Sequence, residues 1–343
     1  MVQGEPGMFI GPIAAVFGYI IDIIFNFVYS FTVYHSLGLS IILLTIIVRT
    51  LVLPLMVKQQ KSMMAMQALN PEMQKIRDKY KNKKDSKSQQ AMNAEIQKLY
   101  ADNKVNPLGG CLPLLVQMPL FFGLSFIMHQ SHLYVSRLGN LYAQISEYLI
   151  YQVPYYTNIV VPLALPRVPQ RMLDNQELNI SIVSHMSRVL NAFDVSDWNS
   201  LFVQVGEISS HHLANLLYLY EQKVAIELFF GLALTEPSGM GWPGILIPIL
   251  AVLSALATSY VASKASVITD ERQRTQQRMM LVIMPVMMGA MTIGLPAGVG
   301  VFWITSSIYQ IVQQIVMNHR SGIQTFPDSW RLPFGGSDKQ EGD

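Results

Sequence analysis

Long apolar runs, separated by polar and charged stretches, dominate the residue pattern of this chain. Five of these runs approach the roughly 18–20 residues that an α-helix needs to cross a bilayer. The pattern therefore predicts an all-α polytopic membrane protein with a five-helix transmembrane core. The predicted spans cover residues 37–57, 107–130, 242–262, 279–295 and 296–318.

The N-terminal segment has two possible interpretations. Residues 8–34 are apolar and aromatic, with Asp22 inside the run. Such a segment can span the bilayer or lie in its interface as an amphipathic helix. No Lys or Arg flanks either end, whereas a spanning helix normally carries cations on its cytoplasmic side. We therefore expect residues 1–36 to form an interfacial amphipathic helix, with a span as the alternative.

The distribution of charge predicts the orientation. Residues 58–106 hold eleven Lys or Arg against five Asp or Glu, a balance of +6, so the positive-inside rule places them in the cytoplasm. Residues 131–241 hold five against nine, a balance of −4, and are expected outside. The basic loop 263–278 and the tail 319–343 are expected in the cytoplasm. The predicted location is the bacterial cell membrane, with several passes and a cytoplasmic C-terminus.

The basic loop is predicted to be a helical hairpin. Apolar residues recur at helical spacing over 73–80 and again over 92–99, with a polar turn between. Ser86 and Gln89 have the spacing of a capping box at the start of the second helix. We expect an antiparallel pair of cytoplasmic helices.

The external segment is expected to be a helical insertion. Residues 176–192 and 198–232 have amphipathic patterns. The proline-rich stretch 154–171 is expected to be irregular.

Composition supports a membrane protein and gives no sign of an enzyme. The chain is 51% hydrophobic and 13% charged, against about 25% charged residues in soluble domains. It has one cysteine, Cys111, so an internal disulfide is impossible. The sequence contains no HExxH, GxSxG, P-loop or dinucleotide-binding motif. We expect no catalysis, no cofactor, no metal site and no direct contact with nucleic acid.

Arg49 lies in the middle of the first predicted span, where a guanidinium costs several kcal/mol. The five spans contain no Asp or Glu, so Asp22 is the remaining intramembrane candidate for a partner. Lys58 marks the cytoplasmic edge nine residues later, about 13 Å along a helix, which is beyond the reach of an arginine side chain. We therefore expect Arg49 to face a wet indentation rather than lipid.

Neutral polar residues in the spans could line that indentation. Each Ser or Thr could instead simply bond to its own helix backbone. An anion channel or transporter with Arg49 as its binding site is the alternative function, although the inverted repeats common in transporters are not visible. The candidate substrate-binding residues are Arg49, Thr45, Gln117, Ser254, Thr258, Trp303, Ser306 and Gln310.

Three strings in this order resemble the YidC/Oxa/Alb family of membrane insertases, in the form found in Gram-positive bacteria: GLSIILLTIIVRTLVLPL, NPLGGCLPLLVQMPLFFGL and LPAGVGVFWITSSIYQIVQQ. The resemblance implies a five-helix core around a hydrophilic groove open to the cytoplasm and lipid, with Arg49 supplying positive charge and Gln117 lining it. It implies an insertase and chaperone for nascent membrane proteins with acidic external ends. The hairpin and the loop 263–278 would receive substrate and contact the Sec translocon or ribosome.

The chain also departs from the family pattern. Residues 140–227 look like an insertion of unknown role. The tail lacks the long basic extension that some members use to hold ribosomes. Ribosome tethering through the tail is therefore not expected.

Overall fold

A computed structural model describes residues 10–81, 85–105, 112–168, 172, 178–263 and 271–320. Three segments with predicted roles lie outside these described residues: the NPLGGC string at 106–111, part of the basic loop at 264–270, and the tail from residue 321 onward.

The described chain is helical apart from one short hairpin. In chain order the helices are α1 (Ile10–Tyr29), α2 (Ser36–Ala68), α3 (Asn70–Tyr80), α4 (Ser86–Asp102), α5 (Leu112–His129), α6 (Ser131–Tyr134), α7 (Ser136–Gln152), α8 (Tyr156–Ala164), α9 (Val183–Leu190), α10 (Val195–Ile208), α11 (Ser210–Glu227), α12 (Leu246–Ser263), α13 (Glu271–Thr292) and α14 (Ala297–Arg320). The hairpin strands are β1 (Leu228–Phe229) and β2 (Leu232–Ala233), which pair antiparallel.

Among the described residues, three helices are long and apolar enough to cross a membrane. They comprise Ser36–Met66 of α2, all of α12 and all of α14. Ala14–Tyr29 and Leu281–Thr292 are shorter apolar helices. The chain is thus an all-helical membrane protein, and the five-helix core remains a prediction.

The chain divides into two compact units whose boundary falls inside the long helices. The first comprises Met1–Val52, Cys111–Leu253 and Val286–Ser306. The second comprises Leu53–Gly110, Ser254–Pro285 and Ser307–Asp343.

In the first unit, α1 packs on α5 and α6, with Ile21 and Phe25 fully buried. Asp22 binds the start of α7, because its Oδ1 accepts hydrogen bonds of 2.8 Å from both the backbone N–H and the hydroxyl of Ser136. The Asp22 carboxylate, the possible partner of Arg49, thus accepts hydrogen bonds at the start of α7.

The insertion has its own core in the first unit. Helix α7 buries one face, including Leu138, Tyr142 and Ile145, against α9 and α11, as expected for an amphipathic helix. Trp198 of α10 is fully buried, and its ring lies 4.9 Å from that of Tyr220. These contacts make the insertion a packed helical layer.

Two expectations for the insertion were wrong. The 154–171 stretch contains α8, whose buried Ile159 and Val160 form part of the core; this burial outweighs the backbone bond that Pro162 cannot make. The 198–232 helix is interrupted, because Ser209 has an extended backbone and its hydroxyl caps α11 by accepting from the N–H of His211 at 3.2 Å.

A short segment after the hairpin binds the turn between α13 and α14. The N–H groups of Ala297 and Gly298 donate to the carbonyls of Glu236 and Leu234, both at 2.8 Å. The Ser238 hydroxyl donates to the Thr292 carbonyl at 2.7 Å. This clamp joins the insertion to the ends of two membrane-associated helices.

In the second unit, α3 and α4 pack on each other. Lys79 and Glu95 form a salt bridge of 3.0 Å between them. The cap of α4 is Asp85 rather than the predicted Ser86, because the Asp85 carboxylate accepts from the Ser88 N–H at 3.0 Å. Asp85 fills this role because its backbone is extended, as an N-cap requires.

Candidate functional site around Arg49

Arg49 and Gln117 meet in the first unit. Nη2 of Arg49 donates a hydrogen bond of 2.6 Å to Oε1 of Gln117, which links α2 to α5. The amide is neutral, so this bond orients the guanidinium and leaves its positive charge in place. The structure therefore brings together the two polar residues that the sequence places deepest in these helices.

Arg49 follows an abrupt change in packing along α2. Residues 36–45 include six buried side chains, whereas residues 46–58 include none. Helix α14 shows the same change, since residues 297–302 are all buried and none of 308–317 is. Each helix thus has a tightly packed N-terminal end followed by a stretch without buried side chains, and Arg49 lies just past the packed end of α2.

Small residues make the packed end possible. A Cβ atom added at Gly298 would lie 2.8 Å from Sδ of Met128 and 3.1 Å from Cδ1 of Ile41, closer than ordinary van der Waals contact. The glycine therefore lets α14 approach α2 and α5 closely. The three helices therefore meet beside Gly298, which the clamp also binds.

An aromatic contact extends the site from α5 to α14. Phe121 lies one helical turn after Gln117, and its ring meets that of Trp303 edge-on at 5.4 Å. Ser306 follows Trp303 by three residues, is 1% exposed, and has no hydrogen-bond partner for its hydroxyl among the described residues. Phe121 was not among the candidate residues predicted from the sequence, although its spacing from Gln117 puts it on the same helix face.

Thr45 has a local partner. Its hydroxyl donates to the carbonyl of Ile41 at 2.6 Å, and its side chain is 1% exposed. This is the back-bonding to the preceding turn that Ser and Thr commonly adopt in helices. Thr45 therefore bonds to its own helix one turn before Arg49, and its hydroxyl hydrogen is used in that bond.

The remaining candidates lie in the second unit. Thr258 donates to the carbonyls of Ser254 at 2.9 Å and Ser307 at 3.3 Å, which joins α12 to α14. Gln310 is half-buried on α14. The Thr258 hydroxyl thus links Ser254 of the same helix to Ser307 of α14.

The second unit also contains a cleft of about 530 Å³ between α2 and α14. Apolar side chains form most of its walls, and Lys61 and Arg320 add positive charge. Within the described part of the chain, no three His, Cys, Asp or Glu side chains cluster as metal ligands. The chemistry available at these sites is therefore positive charge, amide and hydroxyl groups, and apolar surface.

Comparison with known proteins identifies the family. Residues 27–324 match the 60Kd inner membrane protein family. The chain belongs to this family. The matched range includes Arg49 and Gln117, and residues 140–227 lie within it.

Relatives carry more specific names. The membrane protein insertase MisCA of Bacillus subtilis is 40% identical over 136 residues, which are 40% of this chain and 50% of that relative. The membrane protein insertase YidC of Geotalea daltonii is 50% identical over 99 residues, 29% of this chain and 17% of that relative. The YidC of Oceanobacillus iheyensis is 27% identical over 283 residues, 82% of this chain and 74% of that relative.

These matches confirm the resemblance to the YidC/Oxa/Alb insertases. The chain spans half the length of MisCA and less than a fifth of the Geotalea daltonii relative.

Proposed function

We propose that this chain inserts membrane proteins into the bilayer and assists their folding, through a positively charged, hydrophilic groove around Arg49. The observation that carries this proposal is the Arg49–Gln117 pair, a guanidinium held by a neutral amide just past the packed end of α2. The insertase names of the relatives support the same activity.

Four long apolar helices lack acidic residues, which supports an anion carried by the substrate. The sequences of α2, α5, α12 and α14 contain no Asp or Glu, and Asp22 accepts its hydrogen bonds from Ser136. Charges inside membranes almost always face a protein interior or a water-filled cavity. An acidic end of a substrate would supply the opposite charge, and its attraction to Arg49 is strengthened where the surroundings have a low dielectric constant.

The packing pattern supports a path that is closed at one end. The packed ends of α2 and α14 would block the groove outside, and their loosely packed remainders would open it to the cytoplasm and lipid. The substrate's polar end would enter from the cytoplasm and lie beside Arg49, while its apolar helix moves along the apolar helices into lipid. Such a groove shortens the polar path across the bilayer and needs no nucleotide.

The proposal includes an orientation in the membrane and a set of partners. The +6 balance of residues 58–106 supports a cytoplasmic position for the α3–α4 hairpin. The C-terminus would lie on the same side and the inserted segment outside. The substrates would be nascent membrane proteins with acidic external ends. The Sec translocon and the ribosome are the proposed partners on the cytoplasmic side.

Reconstitution tests the activity. The purified full chain in liposomes is supplied with a newly synthesised single-span protein that has an acidic external end. We expect a protease-protected fragment that protein-free liposomes do not give, and no increase in the flux of small anions. Anion flux without protected substrate would overturn the proposal in favour of a channel.

A further inference from the structure

The turn of the β1–β2 hairpin places a phenylalanine where the backbone disfavours it. Leu228 pairs with Ala233 and Phe229 with Leu232, so the loop is the two residues Phe230 and Gly231. Their φ angles are +49° and +83°, and two positive values are the signature of a type I′ turn. Asn, Asp and Gly fit the first position, whereas a bulky side chain is strained there. Local folding therefore gives no reason for Phe230.

Burial gives no reason either, because Phe230 is 78% exposed. Its ring stacks on His35, with ring centres 5.5 Å apart and planes inclined by 17°. The Nδ1 atom of His35 lies 2.8 Å from the carbonyl oxygen of Leu228, so the stacking partner is itself fixed to the hairpin. The phenyl ring is thus held outward at the surface.

Other large apolar side chains are exposed nearby. Tyr34 directly precedes His35, and Phe31 lies three residues before Tyr34 in the segment between α1 and α2. A Cβ atom at Gly231 would lie 3.7 Å from Cγ of Pro243, so the hairpin turn contacts the residue that follows Trp242. Each member of this apolar rim is at least 69% exposed. The apolar rim consists of Phe31, Tyr34, Phe230, Met240 and Trp242.

The apolar rim lies where two candidate membrane spans begin. Tyr34 is two residues before α2, and Trp242 is four residues before α12. Trp and Tyr are enriched at the boundary between lipid and water, because they combine an apolar ring with a polar group. A lipid surface is therefore the occupant that this position and this chemistry fit.

We propose that the apolar rim sits in the headgroup layer of the bilayer and anchors the β1–β2 hairpin there. The hairpin follows α11 without a break and leads into the clamp on the α13–α14 turn. Anchoring would therefore fix the insertion at the membrane surface. This proposal does not rest on the insertase activity, so each can fail without the other.

Depth-dependent fluorescence quenching tests the anchor. The chain has four tryptophans, and replacing three of them with Phe leaves either Trp242 or the fully buried Trp198 as the single reporter. Each variant of the full chain is placed in vesicles of phosphatidylcholine labelled with bromine near the headgroup or deep in the acyl chain, and is also exposed to aqueous iodide.

We expect the shallow label to quench Trp242 at least twofold more than the deep label does, with little quenching by iodide. Trp198 should be quenched by none of the three. Strong iodide quenching of Trp242 without lipid quenching would overturn the proposal. Protection from all three agents, as in Trp198, would also overturn it, because a protein surface would then cover the rim.

A second variant separates anchoring from folding. Phe230→Asn suits the type I′ turn, so it should raise the thermal unfolding midpoint in detergent. In the Trp242 reporter it should also raise iodide quenching about twofold. Tyr155→Asn is the matched control, since Tyr155 has a φ of +56° and is 77% exposed but lies outside the rim. Tyr155→Asn should raise the unfolding midpoint without changing the iodide quenching of Trp242. Unchanged quenching in Phe230→Asn would contradict anchoring by this residue.

Discussion

Nη2 of Arg49 and Oε1 of Gln117 lie 2.6 Å apart, in a hydrogen bond that joins α2 to α5. The bond fixes the direction of a cation with an acceptor that carries no charge. A carboxylate in the place of Gln117 would hold the guanidinium equally well but would neutralise it. In the proposed groove, an amide at this position would not neutralise the charge that attracts an incoming anion.

Replacing Gln117 tests the importance of that neutrality. Gln117→Glu should lower insertion of an acidic-ended substrate about tenfold, equivalent to about 1.4 kcal/mol, because the new carboxylate competes for Arg49. Gln117→Leu should lower it less, since the charge remains and only its orientation is lost. Gln152→Glu adds the same charge at an exposed position and should have no effect. Equal activity of Gln117→Glu and the parent protein in liposomes would refute the competition.

Two hydroxyl deletions distinguish a substrate contact from a structural bond. Ser306→Ala removes a buried hydroxyl with no partner among the described residues, so the free energy of unfolding should change by less than about 1 kcal/mol. The insertion of substrate into liposomes should nevertheless fall, because Ser306 is a proposed substrate-binding residue. Thr45→Val should insert normally, because its hydroxyl is already bonded to Ile41. The opposite result, with Thr45→Val inactive and Ser306→Ala active, would assign the groove contact to Thr45.

A buried ion pair should strongly stabilise the inserted segment, residues 140–227. Nζ of Lys223 lies 2.7 Å from Oε2 of Glu227, and both side chains are at most 3% exposed. Lys223→Met leaves a buried carboxylate without its cation, at a cost of about 3–5 kcal/mol. The double variant Lys223→Met/Glu227→Leu should recover most of the loss, as measured by unfolding in detergent.

Lys79→Met is the matched control for that measurement. It breaks the exposed pair with Glu95, and surface pairs contribute little. We expect no measurable change in unfolding. A Lys223→Met variant as stable as Lys79→Met would show that the buried pair does not stabilise the insertion.

The pH dependence of stability should contain a contribution from Glu236. Burial, together with the nearby Glu227 carboxylate and against the attraction of Lys223, raises the pKa of Glu236 from 4.5 to about 7. The folded protein then binds this proton more tightly than the unfolded chain, so stability falls as pH rises from about 4.5 to 7 and is level above. Glu236→Gln should remove this slope and raise the unfolding midpoint at pH 8. Parallel curves for variant and parent between pH 4.5 and 8 would exclude the contribution.

The sequence predicted the part of the site that depends on periodicity and burial cost. Arg49 was recognisable because its charge interrupts an apolar run, and Gln117 because a lone amide stands deep in another. Residues three or four positions apart lie on the same face of a helix, so spacing also predicts which neighbours share a face with Arg49 or Gln117. Phe121 could have been found in the same way, one turn from Gln117.

The remaining features depend on contacts between distant residues, which periodicity does not encode. The clamp consists of backbone hydrogen bonds from Ala297 and Gly298 to residues about 60 positions earlier, and backbone groups leave no trace in residue type. The β1–β2 hairpin was hidden because Phe230 occupies a turn position that usually carries Asn, Asp or Gly. The engagement of Asp22 by Ser136 required knowledge of where α7 begins.

The most direct test of the central claim measures the insertion of matched substrates by variants of Arg49. Parent, Arg49→Lys and Arg49→Ala proteins are reconstituted in liposomes. Each is given a single-span substrate in two forms, one with an acidic external end and one in which Asn and Gln replace the Asp and Glu of that end. We expect Arg49→Ala to lose at least about tenfold activity on the acidic substrate, equivalent to about 1.4 kcal/mol. Arg49→Lys should keep most of that activity, and insertion of the neutral substrate should be far less affected. Equal insertion of the acidic substrate by the parent and Arg49→Ala proteins would contradict the central claim.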